Sequence, residues 1–317
     1  MNWDNAFTAR SPYGTVKGSP SYAGALSFMR RKYSQDLQGV DVAVAGIPLD
    51  TATTNRPGAR FGPRAVRAAS AGISWERPWP WTFDPFDSLA VVDYGDCEFD
   101  PGMPETIVPY IEKYFDRILD SGAASLMIGG DHFVTYPVLR SYAKKHGPLS
   151  LVHFDAHSDT WGEEQHRLDH GTMFYHAVKE GLVDDSRSVQ IGLRTTNDEP
   201  LGFNILDARW VHANGPAAVA EKVLEITAGR PVYLTFDIDC LDPSYAPGTG
   251  TPVCGGLSTH QALEIIRGIE GVDLVGMDVV EVAPAYAVAE ITALAGATLA
   301  AEFLCLFAAN PKRKAEP

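Results

Sequence analysis

The chain has 317 residues, of which 45% are hydrophobic, and its 26 basic and 40 acidic residues give a formal net charge of −14. This acidic balance disfavours nucleic acid and anionic membranes as partners and suits a small cationic substrate or bound cations. No basic leader opens the chain, no uninterrupted apolar run approaches the ~18–20 residues of a membrane span, and the four cysteines are scattered, so we expect a cytoplasmic protein with free thiols.

In chain order, apolar strand-like runs alternate with segments of helical periodicity after an N-terminal arm over residues 1–38, which holds a short helical piece at 25–32. The runs predict strands over residues 41–48, 88–95, 124–129, 149–155, 188–193, 203–206, 231–237 and 272–279. Helices are predicted over residues 63–70, 107–119, 134–146, 170–180, 217–228, 260–269 and 290–309, and residues 310–317 are predicted to be a disordered tail.

This alternation predicts an α/β fold with a mainly parallel sheet covered by helices on both faces. No linker, change of composition or internal repeat divides the sequence. We therefore expect a single domain over residues 1–317.

The segment Leu151–Thr160 begins as a buried strand and then places His or Asp at every second position from residue 153 to residue 159. Alternate side chains of an extended chain point to the same face. Imidazole and carboxylate groups that converge at a strand end repel each other or stay unsatisfied unless a cation lies between them. The segment therefore indicates a metal site.

Other strand ends carry the same residue types, and in an open α/β sheet ligands bind at this edge. The residues are Asp131, His132, Asp155, His157, Asp159, Asp237, Asp239, Asp278 and Glu281. One such aspartate is explained by a helix cap, but six or more on several strand ends are not. Imidazoles with several carboxylates exclude a structural zinc site and suit harder octahedral ions such as Mn²⁺. Four carboxylates also balance the charge of two divalent ions, which together activate water.

Three motifs resemble the signatures of the ureohydrolase family, which includes arginases and agmatinases. They are Gly129-Gly-Asp-His132, Asp155-Ala-His157-Ser-Asp159 and Thr235-Phe-Asp237-Ile-Asp239. The resemblance extends from about residue 22 to residue 309 and is nearest to bacterial agmatinases over residues 169–174, 246–252 and 279–286. It implies a three-layer α/β/α fold with an eight-stranded, mainly parallel sheet, and a homo-oligomer that is a trimer or hexamer.

The resemblance also implies two Mn²⁺ ions per subunit. One ion would be held by His132, Asp155, Asp159 and Asp237, and the other by His157, Asp155, Asp237 and Asp239, so that Asp155 and Asp237 bridge. His153 is not a ligand in the family and is expected to pack or hydrogen-bond behind the site. Asp131 is expected to orient a ligand, and Asp242 and Asp278 are expected to have structural or supporting roles.

The expected reaction is hydrolysis of a guanidinium group. The resemblance implies that Glu281 pairs with the NH₂ groups and fixes their plane, and that Asp159 passes the proton of the attacking water to the leaving nitrogen. His170 resembles the histidine that exchanges protons with solvent in the family. The alternative for His170 is a capping role at a helix N-terminus.

The substrate is less well determined by the sequence. Arginases carry aspartates where this chain has Thr195 and Asn197, which favours agmatine, giving urea and putrescine, over arginine. In the loop after Asp159, Glu163 or Glu164 could receive a distal ammonium, whereas Arg167 could receive a carboxylate, as in 4-guanidinobutyrate; each is also explained as ordinary loop charge. An inactive metal-binding regulatory subunit would require loss of a ligand, of Glu281 or of His170, and all are present.

Overall fold

The structure is a computed structural model that describes residues 22–24, 26–74, 77–162, 167–197 and 201–310. Its strands are β1 (Val42–Ile47), β2 (Val91–Asp96), β3 (Ala124–Gly129), β4 (Ser150–Phe154), β5 (Val189–Ile191), β6 (Asn204–Leu206), β7 (Pro231–Asp237) and β8 (Asp273–Val280). They form one eight-stranded sheet in the order β2-β1-β3-β8-β7-β4-β5-β6. Every pair of neighbouring strands is parallel.

Helices cover both faces of this sheet. They are α1 (Gly62–Ser70), α2 (Pro104–Asp120), α3 (Thr135–His146), α4 (Met173–Lys179), α5 (Ala208–Thr227), α6 (Thr259–Gly268) and α7 (Ile291–Ala309). Helices α5, α6, α7 and α1 pack side by side in one layer, and α2, α3 and α4 form the other. The predicted three-layer α/β/α fold is confirmed.

Each face of the sheet has its own apolar core, because successive side chains of a strand point to opposite faces. Val42 and Val44 of β1 belong to one core, and Ala43 and Ala45 belong to the other. Helix α7 completes the first core. It has 19 residues and an 18-residue window with a mean hydropathy of 1.8, enough by length and composition to cross a membrane, but 83% of that window is buried inside the protein. It is therefore explained as a core helix.

Several predicted helices differ from the observed ones at their ends, and α2, for example, begins at Pro104 instead of residue 107. Helix α5 begins at Ala208, not residue 217, because the Asp207 side chain caps it by accepting from the Trp210 N–H at 2.7 Å. The Gly215-Pro216 step, which immediately precedes the predicted start, is a kink inside the observed helix, with Gly215 at φ 79°. Helix α4 begins at Met173, not residue 170. The helical piece expected at 25–32 is a single 3₁₀ turn over 28–30, and residues 1–21 and 311–317 lie outside the described part.

The central strands β3, β8, β7 and β4 are neighbours, so the loops after their carboxyl ends meet at one edge. A close approach of two loops builds this edge. The Gly130 and Asp131 N–H groups donate to the Ile47 and Leu49 carbonyls, each at 2.8 Å. A Cβ at Gly130 would lie 1.7 Å from the Leu49 oxygen, so only glycine fits there.

Candidate metal centre

Six histidine and aspartate side chains meet at this edge of the sheet. His132 follows β3, and the block from Asp155 to Asp159 follows β4. Asp237 is the last residue of β7, and Asp239 lies in the 3₁₀ turn after it. All are buried except His157, whose side chain is 16% exposed. Asp159 adopts a left-handed backbone with φ 53°, a strained conformation typical of functional sites.

The His132 side chain faces three carboxylates. Its Nδ1 lies 3.0 Å from Asp155 Oδ2, 3.0 Å from Asp159 Oδ2 and 3.3 Å from Asp237 Oδ2. Nevertheless, this buried nitrogen makes no hydrogen bond of acceptable geometry within the described part of the chain. A nitrogen and three oxygens that converge without hydrogen bonding fit a cation placed among them.

A second, adjoining group surrounds His157. Its Nδ1 lies 3.3 Å from Asp155 Oδ1 and 3.1 Å from Asp239 Oδ2. Backbone amides orient these carboxylates: the Ala156 N–H donates to Asp239 Oδ1 at 3.0 Å, and the Asp239 N–H donates to Asp237 Oδ1 at 2.8 Å. The two oxygens of Asp155 thus face different histidines. The donor set of imidazole and carboxylate fits divalent cations of intermediate hardness.

His153 also lies within this cluster, close to His132, Asp155 and Asp159. However, both of its ring nitrogens already have partners: Nε2 is 2.7 Å from Asp155 Oδ2, and the Gln190 amide donates to Nδ1 at 3.1 Å. The amide therefore fixes the tautomer in which Nε2 carries the proton and donates to Asp155. His153 orients a carboxylate, in agreement with the expected hydrogen bond behind the site.

A polar chain extends from the far side of His132 to Asp278. His132 Nε2 lies 2.8 Å from Thr235 Oγ1, and that hydroxyl donates to Asp278 Oδ1 at 2.6 Å. Thr135 and Tyr233 donate to the other oxygen of Asp278. This chain directs His132 Nδ1 toward the carboxylates.

Asp131 and Asp242 make backbone contacts instead of contacts with the cluster. Asp131 Oδ2 accepts from the Ala52 N–H at 2.9 Å and so fixes the loop after β1, whereas Oδ1 has no hydrogen-bond partner among the described residues. Asp242 has a structural role, because it accepts from the N–H groups of Ser244, Gly255 and Gly256. Burial raises the pKa of Asp242, but these hydrogen bonds outweigh burial and lower it to about 2.

The cluster is strongly coupled electrostatically. Burial and the repulsion from Asp239 and Asp155 raise the pKa of Asp237 well above its usual range. Burial opposes the ionised form of Asp155, but His153 and the other histidines outweigh it and hold that pKa well below its usual range. Burial likewise disfavours charged His132, yet three carboxylates raise its pKa well above normal. These opposed shifts arise from carboxylates and imidazoles packed together, an arrangement that a bound cation would neutralise.

Glu281 and His170 adjoin the cluster. Glu281 has φ 63°, and its Oε1 accepts from the His132 N–H at 2.9 Å and lies 3.0 Å from His170 Nδ1. Its Oε2 is buried with no hydrogen-bond partner among the described residues. An unpartnered buried carboxylate oxygen is costly, so it points to a cationic ligand that supplies the missing donors.

A cavity of about 400 Å³ opens over the cluster. It is lined by His157, Asp159, Asp237, His170, Thr54, Thr251, Trp161, Arg167, Asp169, Gly171 and Thr172. Of the three predicted substrate-loop residues, Arg167 lines the cavity and forms an ion pair with Asp169. Glu163 and Glu164 lie outside the described residues.

Sequence reasoning missed three residues at this site. Thr54 contacts His170 Nε2 through its N–H at 3.0 Å and its hydroxyl at 2.7 Å, Gln190 supports His153, and Asp169 lines the cavity. Thr54 lies in the loop after the carboxyl end of β1, and Asp169 immediately precedes His170. Their positions were available signals, whereas the Gln190 contact requires knowledge of the strand order.

The fold and this site define an α/β protein with a cluster of histidines and aspartates, able to hold metal, at the carboxyl edge of a parallel sheet. The sequence profile of the arginase family matches residues 40–306. The chain belongs to the arginase family. It is 58% identical to the agmatinase of Chromobacterium violaceum over 305 residues, which are 96% of this chain and 94% of that protein.

Solved structures agree with this assignment. A crystal structure of a hypothetical agmatinase from Burkholderia thailandensis is 58% identical, with a TM-score of 0.93 and 99% of each chain covered. Proclavaminate amidino hydrolase from Streptomyces clavuligerus is 38% identical, with a TM-score of 0.86, and the match covers 92% of this chain and 99% of that one.

Proposed function

We propose that this chain is a binuclear manganese ureohydrolase that converts agmatine and water to urea and putrescine. The observation that carries the proposal is the unpartnered, buried Oε2 of Glu281 beside a metal-binding cluster of histidines and aspartates. A guanidinium is a planar cation that offers paired N–H donors, and it matches such a carboxylate. The cationic substrate also agrees with the acidic composition of the chain.

The proposed ligands of one Mn²⁺ are His132, Asp155, Asp159 and Asp237, and those of the other are His157, Asp155, Asp237 and Asp239. The separate convergence of carboxylate oxygens on His132 and on His157 supports two ions. Four carboxylates also match the charge of two divalent cations. When bound, such a pair of ions supplies a water activated for nucleophilic attack near neutral pH.

The protein residues would then orient the substrate and move protons. Glu281, held by the His132 N–H, would fix the plane of the guanidinium so that its central carbon faces the cluster. Asp159 lines the cavity and, as the proton carrier, would take a proton from the attacking water and deliver it to the leaving nitrogen.

His170 would exchange protons between the site and solvent. Burial disfavours its charged form, but contact with Glu281 outweighs burial and raises the His170 pKa to about 9. The Thr54 N–H and hydroxyl lie 3.0 and 2.7 Å from Nε2, the ring nitrogen that faces away from Glu281. Since His170 lines the cavity, this exchange would take place at the cavity wall.

Agmatine as substrate is supported by the 58% identical relative that is named an agmatinase. A second candidate is a guanidino acid such as 4-guanidinobutyrate, favoured by Arg167 in the cavity wall. Two observations weigh against it. Arg167 is already paired with Asp169. The carboxylate of Asp169, which lines the cavity together with Asp159 and Asp237, would also repel an acidic substrate.

A homo-oligomer, trimer or hexamer, is proposed as well. Exposed apolar side chains beside a groove between α6 and α7, among them Tyr245, Ile291 and Leu294, support such an association. A cytoplasmic location is supported by the four cysteines, all of which carry free thiols.

The substrate assignment is tested by urea release from the manganese-loaded protein on agmatine, 4-guanidinobutyrate, 3-guanidinopropionate and arginine. We expect agmatine to have the highest kcat/KM, and we expect removal of metal with a chelator to stop urea release and added Mn²⁺ to restore it. A preference for 4-guanidinobutyrate would overturn the choice of substrate alone. Metal-loaded protein that releases no urea from any of the four would overturn the enzyme assignment.

A further inference from the structure

We propose that Asp169 receives the distal ammonium of the substrate and that Arg167 is the cation that the ammonium displaces. This inference rests on the proposed function and assigns the residues that recognise the charge of the substrate tail. The argument uses the position of Asp169, the way it is held and the exposure of Arg167.

Asp169 is the carboxylate of the cavity wall that the metal cluster leaves available. Among the described lining residues, the acids are Asp159, Asp237 and Asp169, and the first two belong to the cluster. Asp169 is buried, with 7% exposure, so a charge placed against it is poorly screened by solvent. A tail that extends away from the cluster within this cavity therefore has Asp169 as its anionic partner.

The Asp169 carboxylate is fixed before any ligand arrives. The Gly171 N–H donates to Oδ1 at 2.9 Å, and the Asp169 N–H donates to Thr172 Oγ1 at 3.0 Å. The Thr172 N–H closes the turn by donating to the Asp169 carbonyl at 3.2 Å. A carboxylate held in this way loses little conformational entropy on binding a cation.

The Arg167 guanidinium donates to Oδ2 of Asp169 and balances the negative charge of this carboxylate when no substrate is bound. The two partners differ greatly in exposure: the Arg167 side chain is 59% exposed and that of Asp169 is 10% exposed. An ion pair with one partner so exposed is weak, and breaking it costs little.

The Arg167 side chain also has space into which it can move. A second cavity of about 480 Å³ adjoins the first, lies beside residues 51–54 and shares Arg167 and Asp169 as lining residues. The Arg167 carbonyl stays in place because Thr172 Oγ1 donates to it at 3.1 Å and His176 Nε2 lies 2.9 Å from it. The guanidinium can therefore leave Asp169 without movement of the Arg167 backbone.

This arrangement predicts selection by tail charge. When an ammonium tail replaces the Arg167 guanidinium at Asp169, one cation takes the place of another, so the buried carboxylate stays neutralised. A carboxylate tail gains Arg167 as a partner only if Asp169 loses it, which leaves two anions together. The pair thus favours agmatine over guanidino acids.

The test compares agmatine with pentylguanidine, in which a methyl group replaces the ammonium, in wild type and in Asp169→Asn. The asparagine keeps the Oδ1 acceptor for the Gly171 N–H but removes the charge. We expect kcat/KM for agmatine to fall roughly 10- to 100-fold, mainly through KM, with little change for pentylguanidine. Asp185→Asn, which alters a similar backbone-capping aspartate at Gly202 outside the cavity lining, is the matched control and should leave both values unchanged.

Equal losses on the two substrates, or no loss on either, would overturn the role of Asp169, because a purely structural residue acts on both alike. Arg167→Gln is a second variant that decides the question even if Asp169→Asn does not fold. It should raise the ratio of kcat/KM for agmatine to that for pentylguanidine, and an unchanged or lower ratio contradicts the proposal. Wild-type protein that releases no urea from agmatine would overturn the proposed function itself, whereas active wild type with unchanged ratios overturns only this inference.

Discussion

Replacing Asp237 with alanine is expected to abolish urea release and to remove bound manganese. Asp237 Oδ2 lies 3.3 Å from His132 Nδ1, and Oδ1 orients Asp239, so the substitution affects both halves of the cluster. Loss of the proposed bridging carboxylate should cost several kcal/mol of transition-state stabilisation, or about 10³-fold or more in kcat/KM. Metal content after desalting, together with urea release, is the measurement.

The same variant should not unfold the metal-free protein. Burial and neighbouring carboxylates raise the pKa of Asp237 well above its usual range, so above the pKa of the unfolded chain this group opposes folding. Its removal should leave the thermal unfolding temperature in chelator unchanged or raised. Asp116→Ala, on the exposed side of α2, is a matched control and should keep both metal and activity. Asp237→Ala protein that retains two ions and turnover would show that the bridging ligand is misassigned.

Substitution of Glu281 by glutamine is expected to separate substrate binding from metal binding. The amide keeps an acceptor for the His132 N–H but removes the charge that we propose pairs with the guanidinium. Truncating one partner of a buried charge pair costs about 2–5 kcal/mol, which corresponds to roughly 30- to 5,000-fold in kcat/KM. Manganese content should stay at the wild-type level, because Glu281 is not among the proposed ligands.

Both steady-state constants and metal content are needed to interpret Glu281→Gln. If the variant loses manganese, Glu281 acts through the cluster and not through the substrate. If kcat/KM stays within a factor of two or three of wild type, the unpartnered oxygen of Glu281 has another role, and the observation that carries the proposed function no longer supports it.

The sequence alone predicts the layers of the fold and indicates the residues that we propose as metal ligands. Alternation of strands and helices predicts the three-layer fold, and the run from His153 to Asp159 indicates a metal site by its period alone. These signals are local, because each depends on residues within one strand and the loop after it. The resemblance to ureohydrolases then assigned each ligand to an ion, and those assignments stay proposals.

The supporting contacts were beyond the reach of the sequence because they depend on strand order. Thr235 and Asp278 are partners in the register of β7 and β8, and their hydrogen bond orients His132 from β3. Nothing local indicates that strands so distant in sequence are neighbours. Expectations for Asp278 therefore stayed general, and Gln190 behind His153 was not anticipated.

The predicted starts of α5 and α4 are wrong for a different reason, because local signals for a helix start compete. Gly215-Pro216 favours a helix start, but the cap at Asp207 begins α5 at Ala208, nine residues before the predicted start, and the glycine is accommodated as a kink. The sequence pattern predicts His170 at a helix N-terminus. However, residues 169–172 form a turn held by the Asp169 and Thr172 side chains, and α4 begins only at Met173. That turn directs His170 toward Glu281 and places Asp169 in the cavity wall.

The most direct test of the two-ion site is anomalous X-ray diffraction from crystals of the manganese-loaded protein. We expect two manganese peaks per chain, roughly 3.5–4 Å apart. One peak should lie within bonding distance of His132 Nδ1 and the other within bonding distance of His157 Nδ1, with Asp155 and Asp237 close enough to bond both. A single peak, or a pair of peaks away from these two histidines, would contradict the proposed binuclear centre.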